Sequence, residues 1–230
     1  MIDQLPLNFQ LRDDATFSSF YPSENEEALY AVQQCANAKG DNFIFLWGQE
    51  GVGKSHLLQA ACQHSSEKGN PSVYIPLQDK SEFSLSLLKD FEEIPLVCID
   101  DIDSIANLPL WEEALFHFFN RIRAQNGYLI ISANTSPKEL KINLPDLKSR
   151  LTWGVVYQLH RLQDDDKIHA LQLRAHQRGL HLNKTVGQFL LSRCSRNMAE
   201  LFNTLEILDR ASLAEQRRLT VPFVKHVLEI

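Results

Sequence analysis

Four short apolar runs punctuate the 230-residue chain, at residues 43–47, 72–76, 95–101 and 128–132. Phe43-Ile-Phe-Leu-Trp47, Pro95-Leu-Val-Cys-Ile99 and Tyr128-Leu-Ile-Ile131 are apolar at consecutive positions, which calls for cover on both faces, as in a parallel sheet. Between these runs the apolar residues return with helical spacing. Ser23 or Asn25 can cap a helix running to about Ala38, where Gly40-Asp41 ends it. A second helix runs from Lys54 to about Lys68 and stops at Gly69-Asn70-Pro71. Phe83, Leu85, Leu87, Leu88 and Phe91 predict a third over 81–91, and Trp111, Leu115, Phe118, Phe119 and Ile122 share a face of a fourth over 110–125. Pro137 and Pro145, with polar neighbours, mark loops.

After Tyr157 the strand-like runs vanish and helical periodicity takes over, at about 164–178, 184–194, 197–216 and 221–229. Gly179 closes the first of these, and Thr220 and Pro222 open the last as N-cap and early proline. The pattern predicts an α/β domain with a parallel sheet over 16–160, followed by a small all-α domain over 161–230. Residues 1–15, with Pro6 and no helical period, predict an extended, flexible N-terminal segment.

The chemistry concentrates where the first run ends. Gly48, Gly51, Gly53, Lys54 and Ser55 satisfy G-x-x-x-x-G-K-[ST], between a predicted strand and a predicted helix, the context a phosphate-binding loop requires. Its backbone N–H groups, through Gln49, Glu50 and Val52 and on to His56, can face an anion at the positive end of the helix. Lys54 can reach the terminal phosphates, and the Ser55 hydroxyl can hold Mg²⁺. Asp100 ends a buried strand, where such proteins place the acid that holds Mg²⁺ through water. Asp101 reads either as a base for the attacking water or as a solvated strand cap. A glutamate is the commoner base, and a displacement of about 1 Å can cost about a hundredfold in rate, so slow turnover is the expectation. Asn134 can approach a γ-phosphate or simply occupy a turn. Arg150 reads equally as a surface cation or as an arginine finger acting on a neighbouring site.

Composition narrows the setting. A net charge of −6 argues against broad non-specific nucleic-acid binding. Cys35, Cys62, Cys98 and Cys194 lie far apart without metal or redox spacing, which points to buried thiols in a reducing compartment. The N-terminus lacks a basic segment followed by an apolar one, and no apolar run approaches membrane length, so a soluble cytoplasmic protein is expected.

The phosphate loop, the Leu96-Val-Cys-Ile-Asp-Asp-Ile102 strand, Phe116-His-Phe-Phe-Asn120 and Leu147-Lys-Ser-Arg-Leu-Thr-Trp-Gly154 resemble the AAA+ core of the bacterial replication initiator DnaA. Thr16-Phe17-x-x-Phe20 resembles the segment that wraps the nucleotide base there, which adds Phe17 and Phe20 to the nucleotide-binding set. The helical end is similar through Asn197-Met-Ala-Glu-Leu201 and Thr220-Val-Pro-Phe-Val224, so the resemblance spans about residues 16–230. Gln4-Leu5-Pro6-Leu7-Asn8-Phe9 resembles the short peptide that docks on the bacterial sliding clamp, with Gln4, Leu5, Leu7 and Phe9 as its contacts. The initiator continues into a helix-turn-helix domain, whereas this chain stops at Ile230, so no direct sequence-specific DNA binding is expected.

Together these features resemble the Hda family of DnaA-related regulators. That resemblance implies an AAA+ fold with a helical lid and an adenine nucleotide, ADP by expectation, with Mg²⁺ as an accompanying ion. It implies DnaA and the β subunit sliding clamp of DNA polymerase III as partners, a homodimer as a further assembly, and no membrane. Arg150 would act in trans on DnaA-bound ATP, stimulating its hydrolysis, with weak or no intrinsic ATPase. Relatives in the AAA+ class place a phosphate-contacting Arg in the lid where Ala199 stands; Arg196, three residues earlier, is rotated from it by about 60° on a helix. An autonomous AAA+ ATPase, such as a helicase loader or clamp-loader-like factor, is the competing reading and predicts robust turnover alone. A small-molecule phosphotransferase would need a second substrate pocket with a base, for which the sequence offers no candidate.

Overall fold

The computed structural model describes residues 11, 14–82, 85 and 87–230, the side chains of residues 81, 82 and 87 excepted. Gln4, Leu5, Leu7 and Phe9 lie outside the described residues. The chain divides into two compact units, one of residues 1–17, 27–48 and 54–158, the other of residues 18–26, 49–53 and 159–230.

The first unit is built on five parallel strands: β1 (Phe43–Trp47), β2 (Ser72–Pro76), β3 (Leu96–Asp100), β4 (Tyr128–Ala133) and β5 (Val155–Gln158), in the order β2-β3-β4-β1-β5. The apolar runs become its central strands because they are buried on both faces; Ile44, Phe45, Leu46, Val97, Cys98 and Ile130 are fully inside. Helix α1 (Glu26–Ala36) precedes the first strand, and α2 (Lys54–Glu67), α3 (Leu87–Asp90), α4 (Pro109–Ala124) and α5 (Pro145–Leu151) lie between successive strands. Strand order places β4 between β1 and β3, so the chain leaves three adjacent strands at one edge: after Trp47, after Asp100 and after Ala133. In open parallel sheets, ligands bind outside this carboxyl edge.

Three elements depart from the sequence pattern. The helix expected over 81–91 is reduced, among the described residues, to the four-residue α3, preceded by 3-10 turns over Leu77–Glu82. Three serines interrupt the apolar residues of that sequence, and a serine hydroxyl competes with the helix by hydrogen-bonding to nearby backbone groups. Where Pro145 and its polar neighbours mark a loop, α5 forms, and Val155–Gln158 forms a fifth strand that, among the described residues, pairs only with β1. Its residues alternate half-buried and exposed, as at an edge, which is a weaker signal than the buried runs.

The second unit gathers α6 (Asp164–Gln177), α7 (Lys184–Arg193), α8 (Met198–Glu215) and α9 (Val221–Leu228) around Leu171, Val186, Leu190, Leu201, Leu205, Leu208 and Phe223. Three of its helices begin on side-chain caps. Asn183 accepts from Val186 N at 2.8 Å, Asn197 from Ala199 N at 2.8 Å, and Thr220 from Phe223 N at 3.3 Å. Among the described residues no helix is long and apolar enough to cross a membrane.

Candidate nucleotide-binding site

The loop between β1 and α2 adopts the backbone its glycines allow. Gly51 and Gly53 have φ of +80° and +100°, in the left-handed region that other side chains avoid. At Gly53 a Cβ would also stand 2.7 Å from Phe20 Cε2, so the aromatic segment and the loop are complementary in shape. Nearer the start of that segment, the Thr16 carbonyl meets His56 Nε2 at 2.9 Å, and the Phe17 ring stands edge-on to His64, centroids 5.4 Å apart. Phe20 therefore lies against the loop and Phe17 against the helix that follows it, on whose first turn His56 sits.

Lys54 opens α2 and is almost fully buried, at 6% exposure. Its ammonium donates to the Gly48 carbonyl at 2.8 Å and to Asn134 Oδ1 at 3.0 Å. A buried cation needs such partners, and here they come from the loop itself and from the end of β4, eighty residues on. Asn134 is itself held by Asp103, whose carboxylate accepts from its backbone N–H at 2.7 Å. Lys54 and Asn134, separate candidates in the sequence, thus form one pair.

Asp100 is buried at the end of β3, and both its oxygens are in use. Tyr74 OH donates to Oδ2 at 2.6 Å, and Ser132 Oγ donates to Oδ1. Burial, followed by the neighbouring Asp100 carboxylate, pushes the Tyr74 phenol well above its usual range, so it remains a protonated donor. Asp101 follows with φ +54°, a left-handed conformation that Asp tolerates better than most residues. Its N–H donates to Ser132 Oγ at 3.0 Å, and its carboxylate accepts from Gln78 at 2.8 Å.

The chemistry of Asp100 fits the demands of Mg²⁺. A carboxylate offers about four lone-pair sites, so two hydroxyl donors leave Asp100 able to accept from a metal-bound water. Mg²⁺ beside phosphates is held by one or two protein oxygens, the remaining ligands being water and phosphate. The described residues contain no cluster of three His, Cys, Asp or Glu side chains that could hold an ion by themselves.

Arg150 belongs to the same unit and lies on α5. Glu112, buried within α4, accepts from Asn107 N at 3.0 Å, Asn143 N at 2.9 Å and Leu144 N at 2.8 Å, anchoring the chain just ahead of that helix. The Arg150 guanidinium lies 4.0 Å from the Trp153 ring centroid and 5.9 Å from that of Phe116. In the second unit, Ala199 is exposed on the first turn of α8, and Arg196 pairs with Asp164 at 3.6 Å. Burial pushes the Cys35 thiol up to about 12 and raises that of Cys98, so both stay protonated.

Sequence reasoning missed Tyr74, Gln78, Asp103, Glu112 and Trp153 as supports of these groups. Asp103 alone carried a signal, three residues beyond Asp100. The others are single polar or aromatic residues whose partners lie 23 to 32 positions away, or on an adjoining turn.

A parallel sheet in the order β2-β3-β4-β1-β5, a phosphate loop after β1, an acid ending β3, an Asn after β4 and a C-terminal helical unit define an AAA+ P-loop protein. Residues 11–158 match the bacterial DnaA ATPase domain and residues 164–228 the lid domain of Hda. The chain belongs to the DnaA ATPase-domain family. Domain III of the Thermotoga maritima replication initiation protein DnaA has a similar fold, with a TM-score of 0.79 at 19% identity over 96% of this chain and 98% of that one. AMPPCP-bound DnaA from Aquifex aeolicus matches with a TM-score of 0.74 at 21% identity, over 90% and 71% of the two chains. The Thermotoga maritima RuvB branch migration motor is more distant, at 0.66 and 12% identity over 93% and 73%.

Proposed function

We propose that this protein is a regulator of bacterial replication initiation that holds a nucleotide at its own loop and promotes hydrolysis of ATP bound to DnaA. The observation that carries this reading is the state of Arg150. It is half-buried at the end of α5, stacked on an aromatic ring, and among the described residues no carboxylate lies within ion-pair distance of it. A guanidinium with free N–H edges suits a developing phosphoryl charge, and supplying one in trans is worth about 10³–10⁵ in rate in the systems where it has been measured.

The bound nucleotide is an adenine nucleotide, ADP by preference. A solved relative carries AMPPCP, and Lys54, released from Gly48, can turn to the terminal phosphate. Ser55 would ligate Mg²⁺ directly, and Asp100 through water, while Asn134 orients Lys54. Asp101, already bonded to Gln78 and rotated into a left-handed conformation, is poorly placed to serve as a free base, which favours holding over turnover. Gln4, Leu5, Leu7 and Phe9 dock on the sliding clamp and bring Arg150 to DNA-associated DnaA.

ATP turnover measured with ATP-DnaA and DNA-loaded clamp tests the reading. Arg150→Ala should abolish the stimulation, at least a hundredfold on the scale above. Stimulation equal to the wild type rejects Arg150 as the finger. Robust hydrolysis by this protein alone, accelerated by single-stranded DNA, would favour an autonomous motor instead.

A further inference from the structure

Two guanidiniums converge on one indole. Arg150 Cζ lies 4.0 Å from the Trp153 ring centroid and Arg123 Cζ 4.5 Å from it. The arrangement joins two elements, since Arg123 ends α4 while Arg150 and Trp153 are linked by a turn in which Trp153 N donates to Arg150 O at 3.0 Å. Among the described residues neither guanidinium has a carboxylate within ion-pair distance.

Trp153 is 52% exposed, so burial alone does not fix the indole, which with Phe43, Phe119, Ile122 and Leu129 lines a cavity of about 210 Å³. Stacking from Arg123 supplies the restraint instead, tying the ring to the end of a long helix.

We infer that Trp153, held by Arg123, is a positioning residue that presents the Arg150 guanidinium to a phosphoryl group on the partner; this rests on the proposed role of Arg150. The chemistry favours a ring over a carboxylate for this purpose. A salt bridge would occupy the N–H donors that a phosphate needs. An aromatic face holds the guanidinium through its flat side and leaves all five donors at the edge, in the fork that matches phosphate oxygens. The side chain is thereby ordered before the partner arrives, without losing any donor. Like charge between Arg123 and Arg150 opposes the stack only weakly at an exposed site. It also favours arrival of an anion beside them.

The test separates turnover from partner affinity in the full-length protein. The stimulated hydrolysis rate is measured at saturating and half-saturating ATP-loaded partner for Trp153→Phe, Trp153→Leu and Arg150→Ala. Leucine keeps apolar bulk but has no π face, so Trp153→Leu should lower the maximal rate at least about fivefold, with half-saturation within about twofold. Trp153→Phe, which keeps a face, should stay within about threefold of the wild type. A Trp153→Leu variant as fast as the wild type, or a Trp153→Phe variant as slow as Trp153→Leu, overturns the inference while a strong loss in Arg150→Ala leaves the function standing. If Arg150→Ala itself is unimpaired, the functional reading falls first. A second measurement holds if a variant folds poorly. With Trp47 and Trp111 replaced by Phe, emission from Trp153 should change on Arg150→Ala and on Arg123→Ala, and an unchanged spectrum in either overturns the stack.

Discussion

In the α/β unit the buried polar groups are joined across long stretches of sequence: Lys54 to Asn134, Tyr74 to Asp100, Asp100 to Ser132, and Glu112 to Asn143 and Leu144. Across α6–α9 the caps reach only two or three residues, and the contacts that span the unit are chiefly leucine, valine and phenylalanine side chains. Arg178–Asp209, at 3.5 Å, and the buried Arg174, over the Phe202 ring, are polar exceptions. The difference follows from what each unit holds. Charges taken out of water cost several kcal/mol unless every one is paired, so a phosphate site needs specific partners delivered from several strands. A leucine core asks only for apolar volume of about the right shape. The first unit is therefore specified by individual residues, the second by pattern.

The comparison can be broken at its strongest point in the helical unit. Phe223 is fully buried there, and Phe223→Ala should cost about 3–5 kcal/mol of stability by denaturant unfolding, whereas Phe223→Leu should cost much less. A Phe223→Leu variant as unstable as Phe223→Ala would mean the lid core is a jigsaw rather than a pattern. In the α/β unit Glu112 gives the opposite expectation. Glu112→Ala leaves three backbone N–H groups unpartnered and should cost about 3 kcal/mol, and Glu112→Leu should rescue nothing. Rescue by leucine would show that volume rather than hydrogen bonding matters at that site.

Smaller effects sharpen the contrast. Asn197→Ala removes one local cap of α8 and should cost about 1 kcal/mol, with Asn197→Asp close to the wild type. At His64, burial first and then Lys68 lower the folded-state pKa, so below the ordinary value of about 6.5 the unfolded chain takes up the proton more readily. Stability is thus highest in this respect above pH 6.5 and declines as pH falls through that range. The decline in urea midpoint between pH 7.5 and 5.5 should be smaller in His64→Gln; an identical decline would remove His64 as its cause.

Much of the fold was legible along the chain because its signals are local. Apolar runs of four or five residues gave the central strands, and Thr220, Asn197 and Gly179 marked helix ends within a turn of where they lie. Over 81–91 the apolar residues predict more helix than the four residues of α3 found among the described residues, because serines between them weaken helical propensity. α5 is short, and the Glu112 carboxylate that accepts from the residue ahead of it lies thirty-two positions before Leu144, so little of it shows locally. β5 was missed because an edge strand paired on one side alternates only weakly.

By itself the sequence determined the class of site: a G-x-x-x-x-G-K-S spacing after a buried strand, an acid at the end of another, and a helical pattern beyond residue 160 are properties of consecutive residues. Only the tertiary structure decided which side chains serve those groups. It brought Asn134 to Lys54, Tyr74 and Ser132 to Asp100, and Trp153 with Arg123 to Arg150. The physical reason is that backbone motifs are written in short-range sterics and hydrogen bonds, whereas the orientation of a buried charge or a stacked cation depends on partners that meet only when the strands and helices pack.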